Sequence, residues 1–247
     1  MPALLELRSV SKRFGQVVIA DDLSVTVQDG DAVGIVGPNG AGKTTLFGLI
    51  SGDVPADAGT VLLDGADLAG ADPAERCRRG LGRTYQVPRP FEGMTVFENV
   101  LVAAQAGARL RGQASHERAL TSLEQARLGG QANRRAGSLG LLERKRLEVA
   151  RALATGPRVL LLDEVAGGLT DLEVQELVDI VRDARSAGMA VIWIEHVVRA
   201  LVATVDRLLC LAGGHFVADG PPHEVLDSPA VREVYLGADT SITAGPT

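Results

Sequence analysis

Apolar residues along the chain fall into two arrangements, short continuous runs and helix-spaced stripes, and their order predicts the architecture. The runs Ala32-Val33-Gly34-Ile35-Val36, Val159-Leu160-Leu161-Leu162 and Ala190-Val191-Ile192-Trp193-Ile194, with residues 207–211, are nearly uninterrupted. That is the pattern of strands buried on both faces of a parallel sheet. Helix-type spacing follows the first at residues 46–50 and the second from 171 to about 186. Alternation of strand and helix predicts an α/β fold whose chemistry lies at the carboxyl ends of the strands.

Three further stretches read differently. Leu4, Leu5, Leu7 and Val10, then Leu23, Val25 and Val27 up to Asp29-Gly30, predict a β layer ahead of the first buried run, and residues 59–63 up to Asp64-Gly65 predict a further strand after it. Residues 81–85 predict another strand running into Gln86, after which Pro88, Pro90 and Gly93 interrupt regular structure. From Val96 to about residue 154 the apolar positions, among them Val96, Val100 and Ala103, keep helix spacing. This predicts a separate helical lobe, in which the charged segment 115–135 is a solvated helix with its connection. Residues 221–236 predict two short helices, and 237–247 a small, polar, loose tail.

Composition narrows the class without naming a function. The 247 residues are 46% hydrophobic and 23% charged, ordinary usage for a globular chain long enough to bury a sizeable core. A formal charge of -6 and 3% aromatic residues provide neither a global basic footprint nor a base-stacking platform, so no nucleic-acid partner is expected. Cys77 and Cys210 lie far apart without partners at metal-ligand spacing and are expected to be reduced, buried thiols. No run approaches the ~18 apolar residues of a membrane span. A cytoplasmic chain is expected, with any membrane contact made through a partner.

The strongest local signal is Gly37-Pro38-Asn39-Gly40-Ala41-Gly42-Lys43-Thr44-Thr45. It fits the phosphate-loop pattern of Gly, four residues, then Gly-Lys-Ser/Thr, set between a strand and a helix. Its glycines let successive N–H groups converge on phosphate oxygens, and the following helix adds its positive end. Lys43 is then placed for the β- and γ-phosphates and Thr44 for Mg²⁺. Where the 159–162 run surfaces stand Asp163 and Glu164. Asp163 is the candidate to hold Mg²⁺ through water, and Glu164 to polarise the water that attacks the γ-phosphate.

In this order the motifs resemble those of the nucleotide-binding subunit of ATP-binding cassette (ABC) transporters, over nearly the whole chain. The resemblance implies a P-loop NTPase core of ABC type with an N-terminal antiparallel β layer and an inserted helical subdomain. It implies one ABC ATPase domain over 1–240, its core and β layer formed by 1–94 and 155–240, its helical signature subdomain by about 95–154, and a flexible tail at 241–247. It also implies that Phe14, in Lys12-Arg13-Phe14-Gly15, stacks on adenine. Gln86 is matched to the glutamine that touches Mg²⁺ or the attacking water, and His196 to the histidine that reaches the γ-phosphate. The family's signature, normally Leu-Ser-Gly-Gly-Gln or a variant, falls here on Leu139-Gly140-Leu141-Leu142-Glu143. Two positions depart from it, with Gly140 in place of Ser and Leu142 in place of Gly, and Thr170 stands where an Asp is common. These subunits work as head-to-tail dimers, so the signature is expected to act on the partner's nucleotide.

Residues 82–91, 94–100, 143–148, 194–197 and 234–237 are similar to stretches of the branched-chain amino-acid importer ATPases. That subgroup implies membrane permease subunits docking near residues 86–100, a second related ABC ATPase or a second copy of this chain, and an external solute-binding protein. It places the chain as a peripheral subunit on the inner face of the plasma membrane. Phe91, Met94 and Phe97 are candidates for an apolar docking patch, or for ordinary core. Two other classes stay open on the sequence: a soluble ABC ATPase without a membrane partner, and a regulatory subunit with weak hydrolysis.

Overall fold

The structure is a computed structural model that describes residues 3–240. Its spine is a six-stranded sheet in the order β10, β9, β3, β8, β7, β6. β3 (Ala32–Val36), β6 (Leu81–Arg83), β7 (Val159–Asp163), β8 (Ala190–Ile194) and β9 (Arg207–Ala212) run parallel, and β10 (His215–Gly220) pairs antiparallel at the edge. The continuous apolar runs follow from burial on both faces. In β7, Val159 and Leu161 join one core while Leu160 and Leu162 join the other. β8 divides in the same way, with Ile192 and Ile194 against Val191 and Trp193.

One face carries α1 (Lys43–Ser51) and a second, antiparallel sheet of β1 (Leu5–Phe14), β2 (Val17–Val27), β4 (Ala58–Leu63) and β5 (Ala66–Asp67), in the order β2, β1, β4, β5. Leu5, Leu7, Leu23 and Val27 close the core beneath it. α2 (Pro73–Arg78) lies beside α1, and its buried Arg76 donates to the carbonyls of Leu49, Ile50, Leu68 and Ala71.

A separate helical core is built from α3 (Val96–Ala106), α4 (Gly112–Gln125) and α5 (Leu141–Ala154), with 3-10 turns at Gly129–Gln131 and Ala136–Ser138. The opposite face of the main sheet is covered by α6 (Asp171–Ser186), α7 (Val198–Val202), α8 (Pro222–Asp227) and α9 (Pro229–Thr240).

Several expected boundaries shift. The strand expected over 81–85 ends at Arg83: the Thr84 N–H still reaches Leu161 O (2.9 Å), but Tyr85 and Gln86 leave the ladder. β2 begins at Val17, directly after the two-residue turn at Gly15, rather than at Leu23. The segment beginning at 115 is not wholly solvated, because Ala119 and Leu123 of α4 are fully buried in the helical core. α9 continues to Thr240, into residues read as loose tail; 241–247 lie outside the described residues. Cys210 is buried as expected, whereas Cys77 is only half-buried; both are free thiols.

Candidate functional site

Four loops converge at the carboxyl ends of neighbouring parallel strands: 37–42 after β3, Gln86 after β6, Glu164 after β7 and His196 after β8. In the first of these, backbone geometry accounts for the glycines. Gly42 caps α1 at φ 96°, and a Cβ there would stand 2.6 Å from the Ile19 side chain and 2.9 Å from its carbonyl. A Cβ on Gly37 would lie 2.1 Å from Leu211 O. The loop is therefore wedged between β9 and β2, and α1 starts from it with its first N–H groups unshared.

Lys43 is buried, and its ammonium donates to Gly37 O (2.8 Å) and Pro38 O (3.0 Å). Burial lowers its pKa, while the charges of Glu164, Cys210 and Asp163 oppose that shift. Thr44, Gln86 and Asp163 line one cavity of about 450 Å³ together with Arg83, Tyr85 and Val87. Asp163 is fully buried; burial raises its pKa against the Arg83 guanidinium, which donates to Oδ2 (3.1 Å). Its other oxygen, Oδ1, has no hydrogen-bond partner among the described residues. An orphaned buried carboxylate oxygen, a hydroxyl and an amide around one cavity fit a hard cation that keeps several waters, as Mg²⁺ does.

Glu164 takes a left-handed backbone, φ 48°, unusual for a side chain with a Cβ. Its carboxylate is held from both sides. Gln86 Nε2 donates to Oε2 at 2.5 Å, and His196 Nε2 lies 2.6 Å from Oε1. The three residues singled out separately as Glu164, Gln86 and His196 thus form one hydrogen-bonded group beside the phosphate loop.

Residues given no role from sequence hold this group in place. Arg83 joins Ser51, Asp53 and Asp163. Thr84 Oγ1 accepts from the Asp163 N–H (3.1 Å). Lys145, buried on α5, donates to Glu164 O (3.1 Å), while the Glu195 carboxylate accepts from the Ala166 N–H (2.5 Å) and Trp193 Nε1 (3.2 Å). The turn that carries Glu164 is clamped at both ends. Burial raises the pKa of Glu195, opposed by those hydrogen bonds and by Lys145. No single stretch of sequence marks these residues, because each acts through a partner on another element.

Other candidate residues lie apart from this group. Phe14 ends β1, is 52% exposed, and has the Lys12 ammonium 5.2 Å from its ring. The signature residues Leu139, Gly140, Leu141, Leu142 and Glu143 belong to the helical lobe, and their hydrogen bonds stay within it. Leu139 is core, Gly140 caps α5 in extended conformation, and the Gly140 N–H donates to Glu143 Oε2 (3.0 Å). Leu141 is exposed. Thr170 has a local role as N-cap of α6, in a capping box with Glu173. Of the apolar patch residues, Phe91 and Met94 are exposed with Tyr85 and Val87, whereas Phe97 packs on the helical core.

Comparison with known proteins agrees with this geometry. A family model described as ABC transporter matches residues 20–167, and one described as branched-chain amino acid ATP-binding cassette transporter matches 217–240. The chain is 35% identical over 237 residues to the lipopolysaccharide export system ATP-binding protein LptB of Escherichia coli K12, covering 96% of this chain and 98% of that one. It is 34% identical over 249 residues to the high-affinity branched-chain amino acid transport ATP-binding protein BraF of Pseudomonas aeruginosa, covering 95% and 98%. The crystal structure of the ADP conformation of an ATP-binding cassette of an ABC transporter superposes with a TM-score of 0.87 at 30% identity, covering 96% of this chain and 100% of that one.

Proposed function

The chain belongs to the ABC transporter family as an ATP-hydrolysing subunit, and from that premise we propose that it powers a bacterial importer of branched-chain amino acids or related small solutes. The observation that carries the substrate class is the match of residues 217–240, a segment outside the catalytic motifs, to the branched-chain amino-acid cassettes. A second reading, export of a lipopolysaccharide-type amphiphile, is supported by the likeness to LptB along the full chain. Reconstitution with the permease subunits that co-purify with it separates the two. ATP-dependent uptake of labelled leucine or valine is the expected result, and transfer of lipopolysaccharide without amino-acid uptake would overturn the import reading.

In the proposed chemistry the N–H groups of Gly40, Gly42, Lys43, Thr44 and Thr45 surround the triphosphate, with Ala41 completing the turn. Gly37, Pro38 and Asn39 shape the entry, and the Phe14 ring faces adenine. Thr44, Gln86 and Asp163 would hold Mg²⁺, which would supply positive charge against the phosphates. Glu164 orients and deprotonates the attacking water, and Gln86 and His196 keep its carboxylate aimed at the γ-phosphate. Lys43 and His196 meet the charge that develops on the phosphoryl oxygens.

Glu164→Gln should lower turnover by roughly 10²–10⁴-fold while MgATP binding persists. Phosphate release and nucleotide titration measure the two separately, and unchanged turnover would remove Glu164 from this role. Hydrolysis ends the contacts to the γ-phosphate, so the dimer held together by nucleotide opens and the helical lobe passes the change to the permease.

A further inference from the structure

The C-terminal helix α9 reaches the phosphate loop through one side chain. Tyr235 Oη accepts a hydrogen bond from the Gly37 N–H at 3.0 Å, across 198 positions of sequence. Gly37 is where β3 leaves the sheet: Val36 still pairs with Cys210 of β9, but the next N–H has no ladder partner. No side chain can replace Gly37, because its Cβ would collide with Leu211 O. Its N–H must therefore be satisfied from outside the sheet. On its other side the same residue offers its carbonyl to the Lys43 ammonium (2.8 Å). Tyr235 and Lys43 grip the two polar groups of one glycine.

The helix has its own anchor. Val231 is buried in the core on the far face of the sheet, the Val231 N–H donates to Ser228 Oγ, and Arg232 pairs with Asp227. The Tyr235 ring is itself 41% exposed, so its place at the loop is set by the buried Val231 one turn earlier and by the bond to Gly37, not by burial of the ring. Partial burial raises the phenol pKa, with Cys210 adding to the effect and the Gly37 N–H opposing it.

We propose that Tyr235 is a positioning residue for ATP: its hydroxyl fixes the Gly37 peptide, and through it the Lys43 ammonium, so that α9 presets the loop for the triphosphate. This rests on the reading of residues 37–45 as the nucleotide loop. It assigns a task to the segment 217–240, where the C-terminal helix monitors the loop whose N–H groups bind phosphate. By reciprocity, nucleotide binding tightens α9, giving a route from the ATP state to any partner seated on that helix.

The test uses the full-length chain and its Tyr235→Phe variant, which keeps the ring and loses the hydroxyl. Hydrogen exchange of the Gly37 amide should accelerate by about an order of magnitude in the variant, as one lost hydrogen bond allows. Exchange at Ile35 and Val36 should not change. MgATP should bind about 5-fold more weakly, with maximal turnover within a factor of two of wild type. Equal Gly37 exchange and equal affinity in the two proteins would overturn the assignment. So would a uniform acceleration along β3, which would mark Tyr235 as general packing. Lys43→Ala serves as the control on the underlying reading: if it binds MgATP like wild type, residues 37–45 are not the nucleotide loop and the proposal falls with them.

Discussion

At Asp163 burial and charge conflict directly. It stands at the end of a strand buried on both faces, and its carboxylate faces a single guanidinium, that of Arg83, whose own side chain is 9% exposed. Arg83 also spans to Ser51 and Asp53 at the end of α1, so it ties the carboxyl end of β7 to the helix that follows the 37–42 loop. Removing one partner of a buried pair leaves the other charge stranded, which costs far more than the pair contributes. Arg83→Met should therefore destabilise the fold by about 3–5 kcal/mol, read from denaturant unfolding with the slope unchanged. A variant as stable as wild type would show that solvent already reaches Asp163. Nothing in sequence pointed to Arg83, because a strand-end arginine is ordinary until the topology sets it against β7. Lys43, Thr44, Asp163 and Glu164 were legible because their chemistry requires fixed spacing within one stretch of chain. Arg83, Lys145, Glu195 and Tyr235 act across elements, and no local pattern encodes that.

At the scale of elements, burial decided what could be read. β3, β7 and β8 are covered on both faces, and their apolar runs gave them away. β10 alternates exposed and half-buried residues at the sheet edge, and α2 and α7 are shorter than two helical turns, so none had a period to detect. The helix starts, in contrast, carry explicit chemistry. α3 and α6 both open on capping boxes, Thr95 with Glu98 and Thr170 with Glu173. In each, hydrogen bonds from the threonine backbone and hydroxyl lower the glutamate pKa below its ordinary value. A carboxylate whose folded pKa is depressed stabilises the fold above its unfolded pKa and loses that contribution as pH falls through the folded one. The wild-type melting temperature should fall more steeply between about pH 5 and pH 3 than that of a Glu98→Gln, Glu173→Gln double variant. Parallel melting curves across that interval would show that the boxes contribute nothing through charge. The same logic places Thr170: an Asp there would cap α6 as well, so helix capping does not account for the family's usual choice.

For the whole molecule, the two stretches that the resemblance assigns to ATP, the loop at 37–45 and the signature at 139–143, are unequally built. The loop at 37–45, the cavity at Asp163 and the Glu164 group are all formed within one chain of 25.8 kDa. The stretch matched to the family's signature, residues 139–143, is irregular. Gly140 supplies no hydroxyl at the start of α5, and Leu142, half-buried in the first turn, puts a side chain where the family keeps bare backbone. Space does not forbid the usual residue, since a Cβ on Gly140 would meet only Glu143 Oε2, at 3.9 Å. A chain with a sound loop and a weakened signature suits a heterodimer, in which the partner's signature completes this chain's site and this chain's signature serves the partner's site poorly. With MgATP and Glu164→Gln to block turnover, the chain alone should keep its monomer mass in sizing chromatography and pair only when its sister ATPase is added. In the assembled complex, Lys43→Ala here should reduce turnover on the order of 10-fold or more, and the matching change in the sister subunit should cost far less. If the chain alone doubles its mass with ATP, or if both changes cost the same, the two sites are equivalent and the signature at residues 139–143 is competent as it stands.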